Sequence, residues 1–196
     1  HRKEKFEHEY AVTAWALCVM EDVRQDVSLR LNHAGGKYRE AIETVVSKKP
    51  IEVVTDTLRV LISPVAGNFI SAELLKHKES LAKDALPMNI LENRNGRTFL
   101  ALSGLYGEGA PDFKGNVAVY NSTQSEYRLE NGEDELTVDL SWANVDGVEY
   151  IKRFVFHRAE YVVDVKYIVN NKSSQKLANR MFTSLRRDTQ PVETEE

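Results

Sequence analysis

Cysteine is nearly missing from this chain of 196 residues, in which Cys18 is the single example. One cysteine excludes an intrachain disulfide, and with no further ligands beside it this thiol does not form a metal site. Basic residues are outnumbered, since 26 lysines and arginines stand against 30 aspartates and glutamates and give a net charge of −4. This balance argues against a nucleic-acid-binding protein, because such proteins usually present a basic face.

Long apolar runs are missing as well. The longest, Ala14–Met20, falls far short of the roughly 20 residues that a membrane-spanning helix needs, and the acidic Glu21 and Asp22 follow it directly. The run also lacks the length and flanks of a signal peptide. The sequence therefore predicts no membrane span.

The first 48 residues have a helical hydrophobic period. Apolar side chains recur there every three or four positions, which is typical of an amphipathic helix: Val12, Trp15, Val19, Val23, Val27 and Leu31. Gly35-Gly36 interrupts the pattern, and a shorter stripe follows from Tyr38 to Val45. Residues 1–48 are thus predicted to form an α-helical hairpin that ends by Lys49, because Pro50 disfavours helix at the residue before it.

From residue 51 to residue 190 the hydrophobic period changes to two, which indicates β-strands with one face on a core. The clearest alternating rows are Leu58–Ile62, Leu136–Trp142 and Tyr161–Val169. Asn131-Gly132 and Asp146-Gly147 predict hairpin turns, because these residue types tolerate positive φ. With no helical pattern between the strands, the sequence predicts a mainly β fold, an antiparallel β-sandwich preceded by the helical hairpin.

Several of these strand segments carry a family resemblance: Val54–Ile62, Gly67–Leu75, Phe99–Leu105, Gly109–Asp112, Tyr150–Phe156 and Tyr161–Val165. Together they resemble the large periplasmic domain of the YidC membrane protein insertase family, over about residues 51–190. The resemblance implies a β-supersandwich related to the galactose mutarotase fold. It also implies that residues 51–190 correspond to only the first half of the family domain.

What the resemblance implies about function is a non-enzymatic periplasmic domain without cofactor or metal. Such a domain docks to Sec translocon components and assists the insertion of nascent membrane proteins. It is tethered to the inner membrane by a segment that this chain, which begins at His1, does not include. Half a sandwich leaves an apolar face or a strand edge uncovered. Three outcomes are open, namely cover by the helical hairpin, homodimerisation or a smaller self-contained sheet, and the first two are favoured. The acidic tail, residues 191–196, is expected to be disordered.

The origin of the N-terminal segment stays open. The string Tyr10–Val19 is similar to a stretch of hAT-type transposases, although none of their catalytic carboxylate motifs is present. Residues 1–48 are therefore interpreted either as an appendage that packs on the β domain or as a fused, foreign segment.

Candidate contact residues lie in one loop and two strands, and none of them belongs to a catalytic motif. The Gly104–Gly109 stretch precedes no helix, so it is a loop rather than a phosphate site. Loops of this kind can line a cleft, which makes Tyr106 and Asp112 candidates for ligand contact. Trp142 is a candidate for a carbohydrate platform, and the basic Arg186 and Arg187 are candidates for contact with an acidic partner or lipid headgroups.

An alternative function is a carbohydrate-binding or vestigial sugar-processing module built on the same sandwich. A concave cleft lined by paired aromatic residues and a carboxylate would favour it, whereas a flat or polar cleft would favour docking. The aromatic residues available for such a cleft are Tyr120, Tyr127, Trp142, Tyr150 and Tyr161. His77 and His157, the histidines of the β region, do not have the spacing of a mutarotase acid–base pair.

Overall fold

The computed structural model of the chain describes residues 49–94, 97–113 and 117–189. The predicted helical hairpin of residues 1–48 and the acidic tail of residues 191–196 lie outside the described residues. Within these ranges the secondary structure is β, without an α-helix, so the prediction of a mainly β fold is confirmed. No helix in this part of the chain has the length and apolarity needed to cross a membrane.

Ten strands form two sheets. The strands are β1 Ile51–Val54, β2 Leu58–Ile62, β3 Phe69–Lys78, β4 Pro87–Arg94, β5 Arg97–Tyr106, β6 Glu126–Arg128, β7 Glu135–Ala143, β8 Glu149–His157, β9 Val163–Asn170 and β10 Arg180–Arg187. Seven of them form one sheet in the order β10-β5-β4-β3-β2-β1-β6, and the other three form a second sheet in the order β7-β8-β9.

One strand pair departs from the predicted antiparallel arrangement. All the other neighbours run antiparallel, but β6 pairs with β1 in parallel. The reason is the long connection between Tyr106 and Glu126, which carries the chain from β5 to the far edge of β1. A hairpin forces neighbouring strands to be antiparallel, whereas a crossover of this length leaves either direction open.

The two predicted hairpin turns have different outcomes. Asp146-Gly147 joins β7 to β8, which pair along their whole length, and Gly147 has a φ of +78°. Gly132 also has a positive φ, of +91°, but the Asn131-Gly132 turn connects strands of different sheets. The hairpin prediction for Asn131-Gly132 is therefore wrong, because turn chemistry fixes a local reversal and not the partner of the next strand.

Both sheets contribute to one hydrophobic core. The buried side chains come mainly from β1 and β2 on one side and from β7 and β8 on the other: Ile51, Val53, Leu58, Val60, Ile62, Val138, Leu140, Phe154 and Phe156. Phe69 of β3 joins them, with its ring centroid 4.9 Å from that of Phe154. The predicted alternating rows of β2 and β7 point into this core, as the period of two requires. The row of β9 does so at Val163 and Val165, while Tyr161 before it is exposed.

One end of the seven-stranded sheet keeps large apolar side chains exposed. We call this surface the apolar end, and it comprises Met88 and Ile90 of β4, Phe99 of β5, and Met181, Phe182 and Leu185 of β10. Strand β10 is exposed at all eight positions. The core lies mainly between β1–β2 and β7–β8, which explains why the strands farthest from β1 receive less cover.

Candidate functional site

A lysine lies in the middle of the apolar core. Strand β8 presents Tyr150, Lys152, Phe154 and Phe156 on its buried face, and Lys152 has 0% of its surface exposed. In the three-stranded sheet it stands opposite Leu140 of β7 and Tyr167 of β9. Lysine is almost never fully buried unless its charge is paired or hydrogen-bonded.

The Lys152 ammonium donates three hydrogen bonds, and all three acceptors belong to the other sheet or its loops. Nζ lies 3.2 Å from the Ala66 carbonyl oxygen, 3.3 Å from Asn68 Oδ1 and 2.7 Å from the Ser103 carbonyl oxygen. An ammonium has three N–H donors and no acceptor, so this set satisfies the group completely. Lys152 therefore links β8 to the loop between β2 and β3 and to β5.

The loop that supplies two of these acceptors has an unusual backbone. Ala66 and Gly67 follow one another with φ of +57° and +59°. A Cβ on Gly67 would lie 3.1 Å from Cδ of Lys152 and 3.2 Å from Cδ1 of Leu140. Glycine is thus required here both for the left-handed conformation and for the close approach of the lysine stem. Asn68 then accepts a second hydrogen bond, from the Ser103 amide at 3.1 Å.

Asp112 supplies the carboxylate of this region. Its Oδ2 accepts a hydrogen bond of 2.8 Å from the Leu105 amide. Burial raises the pKa of Asp112 to about 6, while that hydrogen bond and the charge of Lys152 oppose the rise. Burial lowers the pKa of Lys152 to about 7, and the charge of Asp112 opposes that shift in turn. The pKa values of Tyr120 and Tyr167 are raised by burial, so both phenols stay neutral.

We call this group of side chains the buried polar cluster: Asn68, Ser103, Asp112, Tyr120, Lys152 and Tyr167. A lysine with a lowered pKa is a candidate for catalysis when it opens into a cleft. Lys152 is enclosed, and its three donors are occupied by protein oxygens. The arrangement therefore suits the joining of two sheets better than reaction with a substrate. No group of three His, Cys, Asp or Glu side chains in the described ranges is placed to hold a metal ion.

The shifted pKa of Lys152 predicts a pH dependence of stability. The folded pKa is about 7 and the ordinary value is 10.5. Between these values the unfolded chain binds more protons, so the free energy of unfolding should rise with pH, by at most about 1.4 kcal/mol per pH unit for one proton. In Lys152→Met this contribution is removed. We expect the stability of the wild type relative to K152M to increase from pH 8 to pH 10 in urea unfolding, and a constant difference would contradict the pKa shift.

The structure places three of the sequence-predicted residues around this cluster. Asp112 belongs to it. Trp142 lies on β7 with its ring 5.6 Å from that of Tyr150, and it is half-buried. Tyr106 ends β5 and is half exposed, with its ring 5.1 Å from that of Phe113. Ligand contact by these residues stays a prediction.

The remaining predicted pair lies elsewhere. Arg186 and Arg187 are exposed on β10 and stand opposite Leu100 and Phe99, whereas Tyr106 stands opposite Arg180. Tyr106 lies six strand positions from Leu100, the partner of Arg186, and six positions span about 20 Å at the rise of a strand. The structure therefore does not bring Tyr106 together with Arg186 and Arg187. A shallow hollow of about 630 Å³ follows β3, and its lining, residues 76–83, contains none of them.

The aromatic residues considered for a carbohydrate platform differ in how deeply they are buried. Tyr120 and Tyr150 are fully buried, and Tyr150 accepts a hydrogen bond from the Asn179 amide group at 3.1 Å. Tyr127 is half-buried, and its hydroxyl lies 2.7 Å from that of Ser122. A platform needs exposed ring faces, so at least two of the five residues do not contribute to one.

Lys152 and Asn68 were not among the residues predicted from the sequence. A signal for Lys152 exists, because it interrupts the inward row Tyr150, Phe154 and Phe156 at a position where alternation demands an apolar residue. A charge on the buried face of a strand requires partners. Asn68 has no comparable signal, since its role depends on the backbone of the loop that precedes it.

Over the residues that the structure describes, the fold and the buried polar cluster define a class: a mainly β domain in which two sheets share a core and an enclosed lysine joins them. The comparisons with known proteins give the family. The family described as the YidC periplasmic domain matches residues 50–196, and the chain belongs to it. The prediction of this family from the sequence is confirmed, and the family is a non-enzymatic one on the periplasmic side of the bacterial inner membrane.

Curated relatives agree with this family. The chain is 38% identical over 143 residues to the membrane protein insertase YidC of Pseudomonas entomophila, covering 73% of this chain and 25% of that protein. It is 40% identical over 145 residues to the YidC insertase of Pseudomonas savastanoi pv. phaseolicola, covering 74% of this chain and 26% of the relative. The chain thus spans about a quarter of the length of the curated relatives it matches.

Proposed function

We propose that this chain acts as an accessory docking domain of a membrane protein insertase. In this role it binds Sec translocon components on the periplasmic side of the inner membrane, to which a further segment of the protein tethers it. It assists nascent membrane proteins indirectly, by positioning the insertase beside the translocon. We also infer that its two sheets are part of a β-supersandwich of the galactose mutarotase type, since they share one core.

The observation that carries the docking role is the apolar end. Leu185 has 72% of its surface exposed, and Met181 and Phe182 on the same strand are exposed to 48% and 42%. Met181 and Leu185 point to one face of β10 and Phe182 to the other, because side chains alternate along a strand. Exposed large apolar side chains that lie close together are typical of sites where another protein binds. The enclosed lysine supports the same interpretation, because the charged group of the core is engaged within the protein and not directed to a substrate.

The docking role predicts that a charge at the apolar end reduces capture of the translocon. The full chain, immobilised, should retain Sec components from detergent-solubilised bacterial inner membranes, identified with antibodies. Leu185→Glu should reduce this capture about tenfold, the effect of about 1.4 kcal/mol in binding, because it places a charge where an apolar contact forms. Val162→Glu is the matched control, since Val162 is also an exposed apolar residue but precedes β9 in the other sheet.

Two results would contradict the docking proposal. The first is no capture of Sec components by the wild-type chain. The second is equal capture by wild type and L185E, which would remove the apolar end from the interface. We do not favour the carbohydrate-binding alternative, because two of its five aromatic residues are fully buried.

A further inference from the structure

The segment that follows β5 folds back onto that strand, and we call residues 107–113 the strap. Asp112 makes two hydrogen bonds with β5: its amide donates to the Leu105 carbonyl at 3.2 Å, and its Oδ2 accepts from the Leu105 amide at 2.8 Å. Earlier in the strap, the Gly109 carbonyl accepts a hydrogen bond from Asn144 Nδ2 at 3.1 Å. The side chain of Asp112 is thus among the groups that hold the strap on the core.

The carboxyl group of Asp112 lies in a largely apolar environment. A Cβ on Gly104 would lie 2.6 Å from Asp112 Oδ2, so the carboxyl lies directly on the backbone of β5. The same Cβ would meet the ring of Phe182, which stands opposite Gly104 on β10. An aromatic ring and a paired strand do not replace the water that surrounds a carboxylate in solution, so ionisation at this place is costly.

Lys152 is the cation that offsets this cost, since its charge acts on Asp112 from strand β8. The other ionisable groups on the strap and on the elements packed against it are two phenols with buried oxygen atoms and three exposed side chains: Tyr120, Tyr167, Tyr106, Glu108 and Arg180. The two buried phenols stay neutral, because burial raises their pKa values. Water screens the charges of the exposed groups, so Lys152 is the main electrostatic partner of Asp112 in the described part of the chain.

We propose that the strap is a pH-controlled element of the fold, which is held closed while Asp112 carries a proton and loosens when Asp112 ionises, to an extent that Lys152 limits. A protonated carboxyl keeps an oxygen that accepts from the Leu105 amide and has no charge to desolvate. An ionised carboxyl gains solvation by leaving this environment for water. An open strap withdraws Ala110 from a small core cluster and uncovers its other members: Leu105, Val148 and Tyr150.

The pKa of Asp112 gives the direction of the effect and its range. In the closed strap burial raises this pKa to about 6, whereas the ordinary value is 3.8. Between these values the closed strap binds more protons than the open one, so acid favours the closed form. One proton changes the ratio of closed to open strap by at most about tenfold per pH unit, and we expect the ratio to fall about tenfold from pH 5 to pH 7.

Amide hydrogen exchange of the full chain, followed by NMR, measures this opening. The protection factors of the Leu105 and Asp112 amides, corrected for the effect of pH on free amides, should fall about tenfold from pH 5 to pH 7. The amide of Thr55 is the internal control, because it donates to the Leu58 carbonyl in the β1–β2 turn and has no contact with the strap. Its protection should stay within about twofold, and an equal fall at Thr55 would show a change of global stability and overturn the inference.

Asp112→Asn keeps a carbonyl oxygen for the Leu105 amide and cannot ionise. In this variant the protection of the Leu105 amide should be the same at pH 5 and pH 7 within about twofold, and a fall as large as that of the wild type would contradict the role of Asp112. The side-chain carboxyl carbon of Asp112 in the wild-type chain should titrate with a midpoint near pH 6. A midpoint near the ordinary value of 3.8 would overturn the inference without any variant.

Lys152→Met tests the limit that the lysine sets. Without its charge the carboxylate loses a stabilising partner, so the midpoint of Asp112 should move to higher pH and the fall in protection from pH 5 to pH 7 should exceed that of the wild type. Lys166→Met removes an exposed lysine of β9 and should leave the midpoint unchanged. An Asp112 midpoint that is the same in K152M and K166M would overturn the coupling between the strap and Lys152.

Discussion

Lys152→Ala should lower the free energy of unfolding by about 3–5 kcal/mol, as measured by urea unfolding at pH 7 with far-UV circular dichroism. The substitution removes an ammonium that has 0% exposure and satisfies three oxygens. The Ala66 and Ser103 carbonyls would lose this donor, at a cost of about 1–3 kcal/mol for each group left unsatisfied, whereas Asn68 Oδ1 would keep the hydrogen bond from the Ser103 amide. The stem of the lysine would also leave a cavity beside Gly67.

Two comparisons separate these causes. Lys152→Met keeps most of the volume and removes a buried charge, so its loss should be smaller than that of K152A. Lys166→Ala removes an exposed lysine of the neighbouring strand β9 and should change stability by less than about 0.5 kcal/mol. Equal free energies of unfolding for K152A and K166A would show that Lys152 does not stabilise the joining of the two sheets.

Phe154→Ala should lower the free energy of unfolding by a similar amount, about 3–5 kcal/mol. Phe154 is 2% exposed, and its ring lies 4.9 Å from that of Phe69 in the opposite sheet. It also lies 5.5 Å below the Lys152 ammonium, measured from Nζ to the ring centroid. The ring therefore stabilises the packing of the two sheets and the charge between them, and alanine removes both contacts.

The matched comparison for this position is Phe154→Leu, which retains most of the apolar volume and should cost less than F154A. Val162→Ala, at an exposed apolar position, should be close to neutral. The same urea series measures all of them. A loss in F154A no larger than that in V162A would show that the two sheets do not depend on this core.

Local patterns in the sequence predicted local structure well. The alternating rows of β2 and β7 and the turn at Asp146-Gly147 depend on residues close to each other in the chain, and the structure has them as predicted. Pairing between segments that lie far apart in the chain has no such pattern in the sequence. The parallel partnership of β1 with β6 and the change of sheet after Gly132 depend on tertiary contacts that no local period encodes.

The same distinction applies to the sites. Lys152 interrupts an inward row and so could have been found from the sequence. Its acceptors could not, because they lie far away along the chain, from 49 positions for Ser103 to 86 positions for Ala66. The sequence of β10 shows no hydrophobic period of two. The strand is exposed on both faces, and its apolar residues Met181, Phe182 and Leu185 do not alternate. A strand without a buried face has little reason to show a hydrophobic pattern.

The pairing of β10 with β5 also has a consequence for the order of events as the chain folds. About 70 residues separate Tyr106 from Arg180, which stand opposite each other in the finished sheet. Closing so long a loop is slow compared with forming the hairpins β2–β3 and β7–β8. At a synthesis rate of about 5–20 residues per second, β10 follows β5 by roughly 4–15 s. Throughout that interval β5 is itself an open edge, so the early folding intermediate exposes the strand that the native domain covers.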